Sequence, residues 1–299
     1  VSRFLKGAKA ERNLDADPET PVGEVLDRLN LIRSGKLANA AILLFGRNPQ
    51  KFFTQSEVRC ARFKGIKPLK PFIDMKVFGG DIINQVDKAL GFVMERVPMA
   101  AWVDPGRVER EEKYAYPPDA VREAITNAIC HRDYESPSDV QVRVFVDRIE
   151  IWNPGRLLEG WTVETLKGRH ESRPFNPLIA NQFFHIGFIE KWGTGINDMM
   201  AECIEWGLPE PEFEFTGMSL IITFRSEITE GYLREKGLNE RQIKAVMHVK
   251  ENGSITNRGY QAINSTFRRT ASSELGELVE WGVLKKIGTG KRDLRCILH

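Results

Sequence analysis

In the segment EAITNAICHRDY, residues 123–134, Glu123 and Asn127 stand one helical turn apart and His131 follows a turn later. At about 100° per residue, Asn127 lies about 40° and His131 about 80° from Glu123, whereas Val121, Ile125 and Ala128 cluster at about 140° to 200°. A carboxylate and an amide side by side on an otherwise apolar helix raise the chemistry of a nucleotide pocket. The same spacing is equally that of an amphipathic helix whose polar side meets water, so the pair needs partners. Two glycine turns downstream are candidates: Asn153-Pro154-Gly155 after a strand, and Gly193-Thr194-Gly195 directly ahead of a helix. Glycines opening a helix let backbone N–H groups meet phosphate oxygens without Cβ interference, and the helix dipole adds to the attraction. A lone GTG is a common loop; its order after the Glu–Asn helix carries the weight.

A second constellation lies near the C-terminus. YQAINSTFRRTASSELGELVEWGVLKKIGTGKRDLRCIL reads as helix, turn, helix and a β-wing, with Leu275, Leu278 and Val279 at core spacing. Arg268, Arg269, Thr270, Ser272 and Ser273 crowd the start of the second helix, where short side chains allow close approach to a major groove and arginines meet phosphate or guanine. Lys285, Lys286, Lys291 and Arg292 would flank the wing. The pattern is that of a winged helix-turn-helix domain, with double-stranded DNA as partner. A solvated charged hairpin, or a surface for protein contacts, fits the same charges. GTGK at 288–291 is not a phosphate-binding P-loop, because Lys285 occupies the first glycine position and Arg292 the Ser/Thr position.

The elements that must position these residues follow from pattern. AAILLFG (40–46) and SEVRCARFKG (56–65) read as strands, and IINQVDKALGFVMERV (82–97) as a helix. Pro117 and Pro118 suit a helix entrance. VQVRVFVDRIEIWNPG alternates as a hairpin with Val140, Val142, Val144 and Val146 on one face, turning near Asp147-Arg148. Asn176-Pro177 offers a helix cap and first-turn proline, EFEFTGMSLIITF (212–224) a second hairpin, and Asn239 with Gln242 a capping box closed by Gly253. The boundaries expected are 1–110, 111–228 and 229–299.

Length alone suggests two or three domains, and the composition is that of an ordinary soluble globular protein. The 299 residues are 41% hydrophobic and 28% charged, with no apolar run long enough for a membrane helix. The net charge of +2 is uneven: from Glu230 onward 13 Lys and Arg face 8 Asp and Glu, a net of +5. The four cysteines lack paired spacing, which argues against zinc or a disulfide framework and for a reducing, cytoplasmic setting.

EAITNAICHRDY, DRIEIWNPG and EKWGTGIND, in this order, resemble the divergent GHKL-type ATPase domain of predicted bacterial and archaeal transcriptional regulators, many named after the RecG helicase. LANAAILLFGRNPQKFF and VRCARFKG resemble the AlbA-like, Schlafen-related module that precedes it in that family. The implied fold class is α+β: an AlbA-like remnant, expected to be truncated at its N-terminus, a GHKL-like sandwich with helices on one face of a mixed sheet, and the winged helix. The resemblance implies ATP and Mg²⁺ as cofactors. Glu123 would activate water, Asn127 would hold the metal, Gly155 would lie near the adenine, and Gly193 and Gly195 would lie at the phosphates. His131, Arg132 and Asp133 match the family's signature without an assigned role. Three positions depart from the wider superfamily: Asn153 replaces its adenine-reading aspartate, Leu157 its second glycine, and Cys130 a frequent acid. No lysine is assigned to the γ-phosphate; Arg156, Lys167 and Arg173 are candidates. The resulting expectation is a nucleotide-responsive DNA-binding regulator, with a second copy of the chain among its partners. A working ATPase in nucleic-acid remodelling is the alternative. A Schlafen-like nuclease is a third reading, but the acidic cluster it needs is not evident in residues 1–110.

Overall fold

The computed structural model describes every residue except 15–16, 64–67, 69, 71, 98, 104–109, 146, 169, 191–192, 226–229, 236, 282, 289–293 and 299. Val146, the turn at 104–106, and Lys291 and Arg292 of the expected wing therefore lie outside the described residues. The chain divides into two compact units, Val1–Ser226 and Glu227–His299, each with its own apolar core.

The first unit begins with helices α1 (Ser2–Arg12) and α2 (Val22–Arg28), a minimal ribbon of β1 (Ile32–Arg33) and β2 (Lys36–Leu37), and α3 (Asn39–Phe45). The segment AAILLFG thus forms a helix, where a strand was expected. Ala40, Ala41, Leu43 and Leu44 are all buried, so burial on several sides replaces the one-sided pattern that marks an amphipathic helix. Strands β3 (Val58–Arg62) and β4 (Asp74–Phe78) follow, then α4 (Ile82–Met94), whose N-cap Asp81 accepts from the Asn84 N–H at 3.0 Å. A ribbon of β5 (Met99–Val103) and β6 (Arg110–Tyr114) leads to α5 (Pro118–Cys130).

Helix α5 starts on Pro118, whose missing N–H costs nothing in a first turn. It buries Val121, Ala124, Ile125, Ala128 and Ile129, the face expected from the wheel. Next come the hairpin β7 (Val140–Val144) and β8 (Arg148–Pro154), helices α6 (Val163–Lys167), α7 (Pro177–His185) and α8 (Gly195–Glu205), and the hairpin β9 (Glu212–Phe215) and β10 (Ser219–Arg225).

Six of these strands form one mixed sheet in the order β4-β3-β7-β8-β10-β9. Every neighbouring pair is antiparallel except β3 and β7, which run parallel with Cys60 opposite Val142. Val58, Cys60, Val140, Val142, Val144, Ile149 and Ile151 share the core with buried residues of α4 and α5. The other face carries an ion-pair row in which Arg143 and Arg148 meet Glu150, and Arg225 meets Glu212. The sheet crosses the boundary expected near residue 110, because β3 and β4 precede that point and the other four strands follow it. Both sides belong to one compact unit.

The second unit holds α9 (Glu230–Glu235), α10 (Glu240–Asn252), α11 (Asn257–Asn264), α12 (Arg268–Glu280) and the antiparallel pair β11 (Leu284–Ile287) and β12 (Arg295–Leu298). Asn239 and Gln242 cap α10 reciprocally, and Gly253 ends it in the left-handed region at φ 76°. Ile255 pairs with Cys296, tying the α10–α11 connection to the hairpin.

Candidate functional site

Glu123 and Asn127 face the same cavity from α5, and the Asn127 amide nitrogen donates to Glu123 Oε1 at 2.9 Å. That bond orients the amide, whose oxygen remains an acceptor. Desolvation raises the Glu123 pKa above the ordinary carboxylate value. The Asn127 hydrogen bond and Arg122 oppose this shift, whereas the charges of Asp198 and Glu190 reinforce it. A carboxyl raised in this way is a better proton acceptor than an exposed one once it ionises.

The cavity is closed by three other segments. The end of β8 supplies Asn153 and Gly155, the 156–175 stretch supplies Leu157, Trp161, His170 and Phe175, and the turn before α8 supplies Gly193 and Gly195. The glycines of both turns and the polar stripe of α5 therefore surround one space. The two glycines of the 193–195 turn are there for different reasons. Gly193 adopts φ +73°, and a Cβ there would lie 2.6 Å from the His170 carbonyl oxygen. Gly195 has ordinary helical geometry, but its missing Cβ makes room for the Glu123 carboxylate. Gly155 is less constrained, since a Cβ would meet nothing closer than 3.6 Å. Thr194 lies between them as the N-cap of α8 and makes no capping bond; it is not part of the cavity wall.

Asn153 is buried, and the sensible orientation of its amide has the nitrogen donating to the Ala128 carbonyl at 3.0 Å. The amide oxygen then remains as the acceptor, without the charge an aspartate would bring. Burial pushes the His131 pKa down to about 4, so the imidazole is neutral at neutral pH. Of the three basic candidates, Arg156 and Arg173 line the cavity, whereas Lys167 sits over the Phe213 ring with its nitrogen 5.4 Å from the centroid. Asn176, expected as a helix cap, makes no capping bond. Its amide nitrogen instead donates to the Cys130 and Arg132 carbonyls at 2.9 and 2.8 Å, fastening the end of α5 to the start of α7.

Sequence reasoning missed the apolar lid of this cavity. Trp161 meets the His170 ring edge-on at 5.0 Å, and both line the space with Leu158 and Leu166. The signal was the cluster of Leu157, Leu158 and Trp161 in a stretch that otherwise reads as loop. The cavity volume is about 150 Å³, below the roughly 300–1,000 Å³ of ordinary ligand sites. Among the described residues, no group of three or more His, Cys, Asp or Glu side chains could hold a metal ion. A Mg²⁺ here would depend on the Asn127 oxygen plus waters and ligand oxygens, the usual way that ion is held beside phosphates.

In the second unit Arg268, Arg269, Ser272 and Ser273 are exposed on the first turns of α12, and Thr270 is half-buried. Lys285 and Lys286 are exposed on β11. Ser272 Oγ accepts from the Asn257 amide at 2.9 Å, linking α12 to α11. Behind this surface the buried Glu274 accepts from Arg241, Asn239 and the Tyr260 hydroxyl at 2.6, 2.9 and 2.8 Å, a strut joining three helices.

Residues 138–224 match a sequence family described as "Putative ATP-dependent DNA helicase recG C-terminal". The matched segment carries Asn153, Gly155 and the 193–195 turn and stops short of Glu123 and Asn127. It is therefore ATPase-like in sequence. No curated protein matches the chain. A crystal structure of the DIP2311 protein from Corynebacterium diphtheriae is similar over 99% of this chain and 61% of its own, with a TM-score of 0.61 and 18% identity. That likeness concerns the fold, and the chain spans about three fifths of that protein's length. No described helix is long and apolar enough to cross a membrane.

Proposed function

We propose that the cavity between α5 and the two glycine turns binds ATP with Mg²⁺, and that the chain is a DNA-binding transcriptional regulator responsive to that nucleotide. The observation that carries this reading is the convergence of Glu123, Asn127, Asn153, Gly155, Gly193 and Gly195 on one space. The ATPase-like segment at 138–224 supports it independently. In this reading the Asn153 amide oxygen accepts from the exocyclic amine of the base, and the amides before α8 meet phosphate. The Asn127 amide oxygen would hold Mg²⁺, which when bound supplies Lewis-acid polarisation of the phosphoryl oxygens. At about 150 Å³ the enclosed space takes only part of a nucleotide.

The second unit is assigned as a winged helix-turn-helix that reads double-stranded DNA through α12, with β11 and β12 as wing. Its helix order, its hairpin and the exposed Arg268, Arg269, Lys285 and Lys286 support the assignment. The AlbA-like, Schlafen-related origin of the N-terminal region, a homodimeric state and a cytoplasmic location belong to the same reading. The deciding experiment is calorimetric titration of the chain with ATP, ADP and GTP in Mg²⁺, repeated on Asn127→Ala, together with operator affinity at zero and saturating ATP. Absence of nucleotide binding would remove the first half; operator affinity indifferent to ATP would remove the coupling, because a ligand shifts an equilibrium only by its differential affinity for two states.

A working ATPase is a second reading, favoured by one observation: the Glu123 carboxyl is desolvated and oriented by Asn127 beside the phosphate-side turn. Turnover in the wild type that disappears in Glu123→Ala, with binding retained, would establish it.

A further inference from the structure

Phe267, the N-cap of α12, is 85% exposed, more than any other large apolar side chain among the described residues. A lone apolar side chain on a surface is ordinary. This one also stands where the fold asks for something else. An N-cap side chain normally accepts from the N–H groups of the first helical turn, as Asn239 does for α10 and Thr256 for α11. Phenylalanine has no acceptor to offer, and α12 begins without a side-chain cap. Packing does not offset that loss, since Phe267 is not among the apolar residues gathered on the core of the second unit. The residue weakens a helix start and adds nothing to the core, which leaves a contact outside the chain as its use.

The ring is held on a fixed mount. Ser265 closes α11 in the left-handed region at φ 48°, the Thr266 N–H donates to the Gln261 carbonyl at 3.2 Å, and the Phe267 carbonyl accepts from the Ala271 N–H at 3.0 Å. The Asn257 amide, donating to Ser272 Oγ at 2.9 Å, ties the two helices that flank this turn. An aromatic side chain with two torsions, carried on such a turn, loses little entropy when it meets a partner.

Its surroundings indicate which partner. Arg268 and Arg269 follow directly and are exposed, Ser272 and Ser273 are exposed one turn on, and the first turn of α12 holds no acid. Glu277 and Glu280 lie toward the far end of the helix. A second copy meeting this patch with its own would bring its arginines against their like. An apolar ring set in positive charge suits instead a polyanion that also presents apolar groups. Double-stranded DNA does so in the major groove, where the C5-methyl of thymine lies among the base edges. Gly276, on the same face of α12, agrees with a body lying close to the helix. Among the described residues a Cβ there would meet nothing within 4 Å, so packing inside the chain does not call for a residue that is poor in a helix interior.

We propose that Phe267 is a specificity-determining residue, its ring contacting the C5-methyl of a thymine in the major groove while its arginine neighbours supply the charge. The inference rests on the reading of α12 as the DNA-reading helix.

The test starts with selection of a duplex from a random-sequence pool by the full chain. Fluorescence anisotropy then measures affinity for that duplex, and for copies in which each thymine in turn is replaced by deoxyuridine, which lacks the methyl group. Wild type, Phe267→Ala and Phe267→Ser are compared. Wild type should lose about fourfold in affinity at one thymine. Both variants should bind the unsubstituted duplex at least about fourfold more weakly and be indifferent to deoxyuridine at that position. Their dependence of log affinity on log salt should match wild type, because no phosphate contact is removed. Phe267→Ser supplies the missing cap, so its unfolding midpoint should equal or exceed that of wild type and a lost contact is not a lost fold. If no duplex is enriched, the inference falls together with the DNA reading. A selected duplex that the variants bind as tightly as wild type, or one that tolerates deoxyuridine at every thymine, overturns the inference alone. A change of oligomeric mass in the variants with duplex affinity intact also overturns it, and assigns Phe267 to a contact between copies.

Discussion

A Cβ placed on Gly195 would lie 2.1 Å from Glu123 Oε1, so the carboxylate occupies the space that any other residue at 195 would need. Gly195→Ala should push the carboxylate away and break its bond from Asn127. The backbone at 195 is helical, where alanine is the better former, so the unfolding midpoint should change little. We expect nucleotide affinity to fall about tenfold by calorimetry, a loss of about 1.4 kcal/mol. Unchanged affinity would detach the 195 turn and the orientation of Asn127 from nucleotide binding.

Gly193 and Gly155 should respond differently. At Gly193 alanine meets both a positive φ and a backbone oxygen at 2.6 Å, and the cost should be about 1–3 kcal/mol in urea unfolding. At Gly155 only ordinary contacts await a methyl group, and the change should stay within about 1 kcal/mol.

The raised pKa of Glu123 has a signed consequence. Its contribution to stability is fully present below the unfolded value of 4.5 and is lost as pH rises through the higher folded value. Glu123→Gln, which imitates the protonated acid, should therefore unfold at a higher temperature than wild type near pH 7, with the difference closing below pH 4.5. Midpoints measured across that interval check it. Any hydrolysis by wild type should rise as the carboxyl ionises and vanish in the variant.

Glu274 behaves in the opposite sense. The Arg241 hydrogen bond, chief among its partners, lowers its pKa, with Tyr260 and Asn239 helping and desolvation opposing. Its stabilisation is present above 4.5 and lost as pH falls through the depressed folded value. Glu274→Gln should cost the second unit about 2 kcal/mol, read by hydrogen exchange in α11 and α12. DNA affinity should drop with it.

Replacing Arg268 or Arg269 by alanine should weaken DNA binding and flatten the dependence of log affinity on log salt by about one unit for each phosphate contact removed. An unaltered slope would argue that α12 faces something other than a phosphate backbone.

Much of this was legible in the sequence where periodicity is clean. Helix α5, the β7–β8 and β9–β10 hairpins and the Asn239–Gln242 capping box follow from spacing alone. AAILLFG was misread because a short run apolar on all sides has no period to distinguish strand from helix. Asn176 looked like a cap because a pattern cannot show that its amide is spent on two carbonyls more than forty residues away in sequence. The lid of the first cavity lies in a stretch with no repeating pattern, and its role depends on what folds against it. The union of β3 with β7 was equally hidden, since no local signal announces a partner that far along the chain.

That union bears on how the molecule is made. With a strand formed by residues 58–62 seated beside one formed by residues 140–144, high contact order is built into the centre of the sheet. During synthesis β3 and β4 emerge long before their neighbour, and until β7 arrives one side of β3 is an open template for pairing with other chains. An excised fragment restricted to 138–224 would invert the problem, leaving the β7 flank bare and its valine row without α4 and α5. Such a fragment should be sticky and short-lived, so biochemical dissection of the nucleotide site is best done on the intact first unit.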